Sequence, residues 1–197
     1  MQKQQVYIQL IGNLAIPLLG YFWWNWSLYF ILLFYTLDLL AALIVVFLKA
    51  RKIKQVTQNT QIPTSTFASV AIMFFALIVA LFQIGSALLH PSIDFQKEII
   101  AFLTYTEMGI QQWIILVPMV GLMAYSSYKM EFILPQLFLK QDEKTVWKNY
   151  LKEQFLMVAF SAILMLISVA YHFSDLVVLL IILAVTTIYN FLQKTGK

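Results

Sequence analysis

Stretch after stretch of this chain is apolar for the length that a helix needs to cross a bilayer, and that alone excludes most folds. A hydrocarbon core about 30 Å thick takes roughly 20 residues of helix. Runs of this kind are predicted at Val6–Phe22, Ser27–Leu48, Phe67–Leu89, Ile99–Tyr125, Phe155–Tyr171 and Leu176–Phe191. The first is short and contains Asn13 and Pro17. The fourth is long and holds a polar stretch, Thr104–Gln112, so it tilts, kinks or divides into two shorter pieces. Composition agrees with the count: 61% of the residues are hydrophobic and 11% charged, against about 25% charged in soluble domains. A soluble core of this size cannot absorb so much apolar surface, whereas hydrocarbon can. The expected fold is all-α, a single transmembrane helical bundle of about six spans over residues 1–197. The first run lacks a small-x-small cleavage pattern and is followed at once by Trp23, Trp24 and Trp26, so it reads as a retained span.

The charges orient the bundle. With the amino terminus inside, the cytoplasmic side receives Lys3, then Lys49, Arg51, Lys52 and Lys54. It next receives Lys129, Lys140, Lys144, Lys148 and Lys152, and finally Lys194 and Lys197. Of the 13 basic residues only Lys97 falls outside. The positive-inside rule therefore favours both termini in the cytoplasm. Lys49–Ser65 is polar and reads as a cytoplasmic loop. The turn at Trp24–Trp26 suits a helical hairpin with its Trp rings at the headgroup level. Lys140, Lys144, Lys148 and Lys152 recur every four residues, with Val146, Trp147, Tyr150 and Leu151 on another side. This spacing predicts an amphipathic helix on the cytoplasmic interface, started by Asp142 and continuous with span five. Its lysines and Trp147 are candidate contacts to anionic lipid or a partner, and a plain juxtamembrane anchor has the same appearance.

The amino end reads Asn13-Leu14-Ala15-Ile16-Pro17-Leu18-Leu19-Gly20, then Trp26. Phe34-Tyr35-Thr36-Leu37-Asp38-Leu39 follows, and then Lys49 and Arg51. This order resembles a family of small bacterial and archaeal multi-pass proteins, a domain of unknown function. Its members open with Asn-Leu-x-x-Pro-Leu-x-Gly, a Trp-containing turn, a Leu-Tyr-Trp-Leu-Glu-Asn-like span centre and a basic stretch. The similarity covers roughly the first fifty residues and departs where Thr36 stands for Trp, Asp38 for Glu and Leu39 for Asn. The resemblance implies a membrane topology and no reaction.

Chemistry is concentrated in two carboxylates. Asp38 lies near the middle of the second run and Glu107 well inside the fourth. An ionised acid at the centre of a helix in lipid costs about 2.5–3.5 kcal/mol, and a neutral acid costs less. No Lys or Arg lies deep in any run to pair with them, which makes them functional suspects. Asp38 shares a face with Tyr35, Ala41, Ala42 and Val45; Glu107 shares one with Thr104 and Gln111. With Asn13 these residues are candidates for one polar cluster. It is either a proton or cation site or a hydrogen-bonded device that sets helix register. His90 and His172 fall at the outer ends of runs beside Asp94, Glu98 and Asp175. They are weak candidates for a metal or haem, and helix-end capping is the expectation.

No cysteine is present, so disulfides, thiolate metal sites and iron–sulfur clusters are excluded. No His-Glu-x-x-His, Gly-rich phosphate loop or Ser–His–Asp order occurs. No cofactor is expected, and the +4 net charge follows loop placement, which argues against nucleic acid. The expected setting is the cytoplasmic membrane of a bacterium or archaeon. The first functional expectation is an accessory subunit that binds other membrane subunits or its own copies. The alternative is a small proton- or cation-coupled transporter that uses the buried carboxylates. An intramembrane enzyme is the least supported reading.

Overall fold

The computed structural model describes residues 14–57, 64–104 and 112–195. Among the described residues there are 7 α-helices and no strand. They are α1 (Leu14–Trp23), α2 (Leu28–Thr57), α3 (Thr64–Leu89), α4 (Phe95–Thr104), α5 (Gln112–Tyr128), α6 (Glu143–Tyr171) and α7 (Asp175–Thr195). A π-helical turn, Lys129–Ile133, continues α5, and a 3₁₀ turn at Leu137–Leu139 leads on to α6.

The hairpin between α1 and α2 is built by side chains. Asn25 takes a left-handed conformation (φ 52°), which Asn tolerates better than most residues. The chain then folds back so that the Trp26 N–H donates to the Gly20 carbonyl at 2.9 Å. The Trp26 indole lies against α1 at Gly20, stacks with Trp24 and packs on Phe30. It is buried, so of the three tryptophans Trp23 is the one that projects outward. Ser27 caps α2: the Phe30 N–H donates to its Oγ (3.0 Å), and the Ser27 hydroxyl donates to Glu98 Oε2 (2.7 Å). The α4 carboxylate thus reaches the positive end of the α2 dipole.

One expectation changes along α2. The Lys49–Ser65 segment is not a loop from its start, because α2 continues unbroken through Lys49–Lys54 to Thr57. Nothing there breaks a helix, and Ala50 and Ile53 are buried against the protein. The basic side chains spread outward from this rod; Lys49 and Lys52 lie over the Phe132 and Phe138 rings, 5.7 Å and 5.4 Å from the centroids. In the fourth run the described helices are α4 and α5, and the question of one helix or two pieces falls on residues 105–111, which lie outside the described residues. α4 starts beside the start of α2, through Tyr29–Phe95 and Phe30–Phe102 ring contacts. The turn after α5 reaches Lys49 through Phe132, so the two helices together travel the length of α2.

Burial is concentrated in two clusters, one towards each end. The first gathers Trp26, Phe30, Ile31, Phe102, Leu164 and Leu179 from α2, α4, α6 and α7. The second gathers Val46, Ile53, Ala71, Phe132, Trp147 and Tyr150. Trp147 therefore does not face lipid: its ring is fully enclosed between Phe47 and Phe67. The amino end of α6 packs on protein through Val146, Trp147 and Tyr150, and Lys144, Lys148 and Lys152 stay exposed on its other side. Lys140 lies in the turn before the helix and is not part of it. Asp142 occupies the cap position but gives no side-chain hydrogen bond. The expected continuity of this segment with the following apolar stretch is present, since α6 is a single helix.

Among the described residues three helices, α2, α3 and α6, are long and apolar enough to cross a membrane. In the most apolar 18 residues of α3 only 11% are buried in the protein, leaving Ile72, Met73, Leu77, Ile84 and Leu88 exposed. Exposed apolar surface on this scale suits hydrocarbon and would aggregate in water.

Candidate functional site: a cavity around Asp38

Four helices, α2, α3, α6 and α7, enclose a cavity of about 530 Å³. Leucine, isoleucine, valine, phenylalanine and methionine form most of its wall. Among the described residues Asp38 is the only ionisable side chain in the lining besides the Tyr35 phenol. Asp38 is about ten residues into α2 and Thr186 about eleven into α7, so both lie roughly 15 Å from the starts of their helices, near half of a bilayer core. Ser161 of α6 lies at a similar depth, and Ser86 of α3 and Ser168 of α6 lie nearer the helix ends at Leu89 and Tyr171.

The polar atoms of this cavity are poorly served by the protein itself. No described residue gives Asp38 a hydrogen bond or a countercharge within ion-pair distance. The Tyr35 hydroxyl is within electrostatic reach of Thr186, yet it makes no hydrogen bond of proper geometry. Thr186 spends its own hydroxyl on the Ile182 carbonyl at 2.8 Å. Ser86 and Ser168 are 3% and 1% exposed, and their Oγ atoms have no partner. Buried hydroxyls without partners each cost about 1–3 kcal/mol, so several around one cavity form an unusual concentration. Hydroxyls in apolar helices ordinarily return a bond to the carbonyl one turn back. Thr36, Ser69 and Thr104 all do so here, at 2.9, 2.9 and 2.7 Å.

The sequence-based cluster is only partly assembled among the described residues. Asp38 and Tyr35 share the cavity with Ala42, while Ala41 and Val45 are not in its lining. Thr104 is exposed and bonded to its own helix, and no described side chain of α4 or α5 lines the cavity. Asn13, Glu107 and Gln111 lie outside the described residues. Ser86, Ser161, Ser168 and Thr186 were not singled out from the sequence. A lone hydroxyl in an apolar run is commonplace, and only its missing partner sets Ser86 and Ser168 apart.

The histidines separate. His90 ends α3 and its Nε2 meets Asp175 Oδ1 of α7 at 2.7 Å. The pair joins a helix carboxyl end to a helix amino end, where each partner suits the local dipole. His172 closes α6 in a left-handed conformation (φ 50°), its backbone N–H donating to the Ser168 carbonyl. Asp94 caps α4 by accepting from the Lys97 N–H at 3.1 Å. Among the described residues no three of His, Asp and Glu come together as a metal-holding group.

Fold and site together describe an integral-membrane type of helical protein with a cavity inside the bundle. Comparison of the chain with protein-family models, with curated proteins and with solved structures finds no match.

Proposed function

We propose that this chain crosses the cytoplasmic membrane six times, with both termini inside, and serves as a membrane-embedded binding protein or small carrier. The observation that carries this reading is the cavity around Asp38, where buried hydroxyls of Tyr35, Ser86 and Ser168 lack protein partners. The volume lies in the range of small-molecule sites, about 300–1,000 Å³, and a mostly apolar wall with a few polar groups is their usual composition. The wall argues against a bare cation as the occupant. Such an ion takes about six to eight oxygen ligands, and the side chains around Asp38 are mainly hydrocarbon. The described lining residues offer Asp38 and isolated hydroxyls and no nucleophile–base pair, an arrangement suited to binding.

The charge distribution supports the orientation. Lys49, Arg51, Lys52 and Lys54 gather with the Phe132–Phe138 turn and the start of α6 at one end. Asp94, Glu98 and Asp175 lie at the other end. An accessory subunit with the same topology is the second reading, favoured by the largely uncovered face of α3.

Purification in mild detergent separates the two. The expected result is a small molecule released on denaturation at about one per chain, retained by wild type and lost from Asp38→Leu. A stoichiometric protein partner with no such molecule would support the subunit reading instead.

A further inference from the structure

Resting on the cavity reading above, we infer that the ligand is a lipophilic amine, a hydrocarbon body carrying one protonated nitrogen, which enters from the lipid between α2 and α6. Three observations point to this class of molecule. The first is charge. Among the described residues the cavity lining holds one carboxyl group, Asp38, and no Lys, Arg or His. A carboxylate left alone among apolar walls is costly, whereas one paired with an ammonium group is compensated. The Tyr35 hydroxyl, one helical turn away on α2, offers a second acceptor to the same group. An anionic amphiphile meets repulsion at this point.

The second observation is the mouth. Of the described lining residues, Ala42 of α2 and Leu156 of α6 are the exposed ones, which points to an opening between these two helices. Both lie roughly 20 Å from the ends of their helices marked by Leu28 and Tyr171, within the thickness of the hydrocarbon core. An apolar rim at that depth admits molecules dissolved in lipid more readily than hydrated ones. The third is the pair of serines. Ser86 and Ser168 are more than nine-tenths buried, unpartnered and part of the wall, roughly 10 Å from Asp38 along the bundle. A cavity meant only for an acyl tail has no use for them, and a ligand with a second, uncharged hydrogen-bonding group satisfies them.

The full chain reconstituted in zwitterionic nanodiscs can be dialysed against dodecylamine, dodecan-1-ol and dodecanoic acid, with empty nanodiscs as the baseline. Wild type is expected to hold the amine at least about tenfold more tightly than the alcohol, and the acid least. Asp38→Asn should bring the amine down to the alcohol, and Asp38→Glu should keep the preference. Equal retention of amine and alcohol by wild type overturns the amine assignment and leaves the cavity reading standing. Retention of none of the three above the baseline overturns both. Should Asp38→Asn fail to fold, the wild-type amine-to-alcohol ratio still decides the matter.

Discussion

Gly20 shows how one missing methyl group shapes the amino-terminal hairpin. A Cβ at this position would fall 2.6 Å from Trp26 Cδ2, closer than carbon atoms approach. The indole is held there by the Trp26–Gly20 backbone bond and by stacking on Trp24, so it has little room to withdraw. Gly20→Ala is therefore expected to lower unfolding stability by about 1–3 kcal/mol, the usual cost of overpacking. The same change in a Trp26→Ala background should cost much less, and thermal unfolding of the four proteins of this cycle measures the difference. Equal losses in both backgrounds would refute the contact. Legibility at this scale was uneven for physical reasons. Asp38 stood out because an ionisable group in an apolar run has no cheap explanation. Ser86 and Ser168 did not, because their peculiarity is an unmade hydrogen bond, which depends on rotamer and neighbours.

Helices were legible as apolar runs, but their ends were not always where hydropathy changed. Hydropathy reports the solvent that a segment prefers; helix continuity depends on backbone propensity and on what the next turns pack against. Hence α2 passes through its basic residues. The amino end of α6 is the clearest case. Lys144, Lys148 and Lys152 lie exposed opposite the buried Val146, Trp147 and Tyr150, but Lys140 precedes the helix, and periodicity cannot say whether protein or lipid covers the apolar side. Trp147 is fully buried and Trp23 is 78% exposed, so the two tryptophans make a matched test. Trp147→Ala should cost about 3–5 kcal/mol, as large buried aromatics do, and Trp23→Ala far less. Denaturant or thermal unfolding of the purified variants in one detergent gives the comparison. Similar midpoints for both variants would mean that the packing around Trp147 contributes nothing specific.

At the scale of the whole molecule the proposed orientation makes a sharp statement about sides. Reporter insertions after Lys54, near Asp94, after Lys140, near Asp175 and at Lys197 are expected to read inside, outside, inside, outside, inside. An outside signal at Lys197 would break the six-span arrangement, and an inside signal near Asp94 would reverse the acidic end. Within such an arrangement the overrun of α2 has a mechanical meaning. Leu28 is held at one end through the Ser27–Glu98 bond and its buried neighbours, and the helix runs unbroken to Thr57. Asp38 is roughly 15 Å from that anchor and Thr57 roughly 44 Å. The far part of the rod is held as well, since Val46, Ala50 and Ile53 are buried with Phe132 and Trp147. Asp38 therefore sits on a beam clamped on both sides, and a ligand that displaced its turn would load both buried clusters at once.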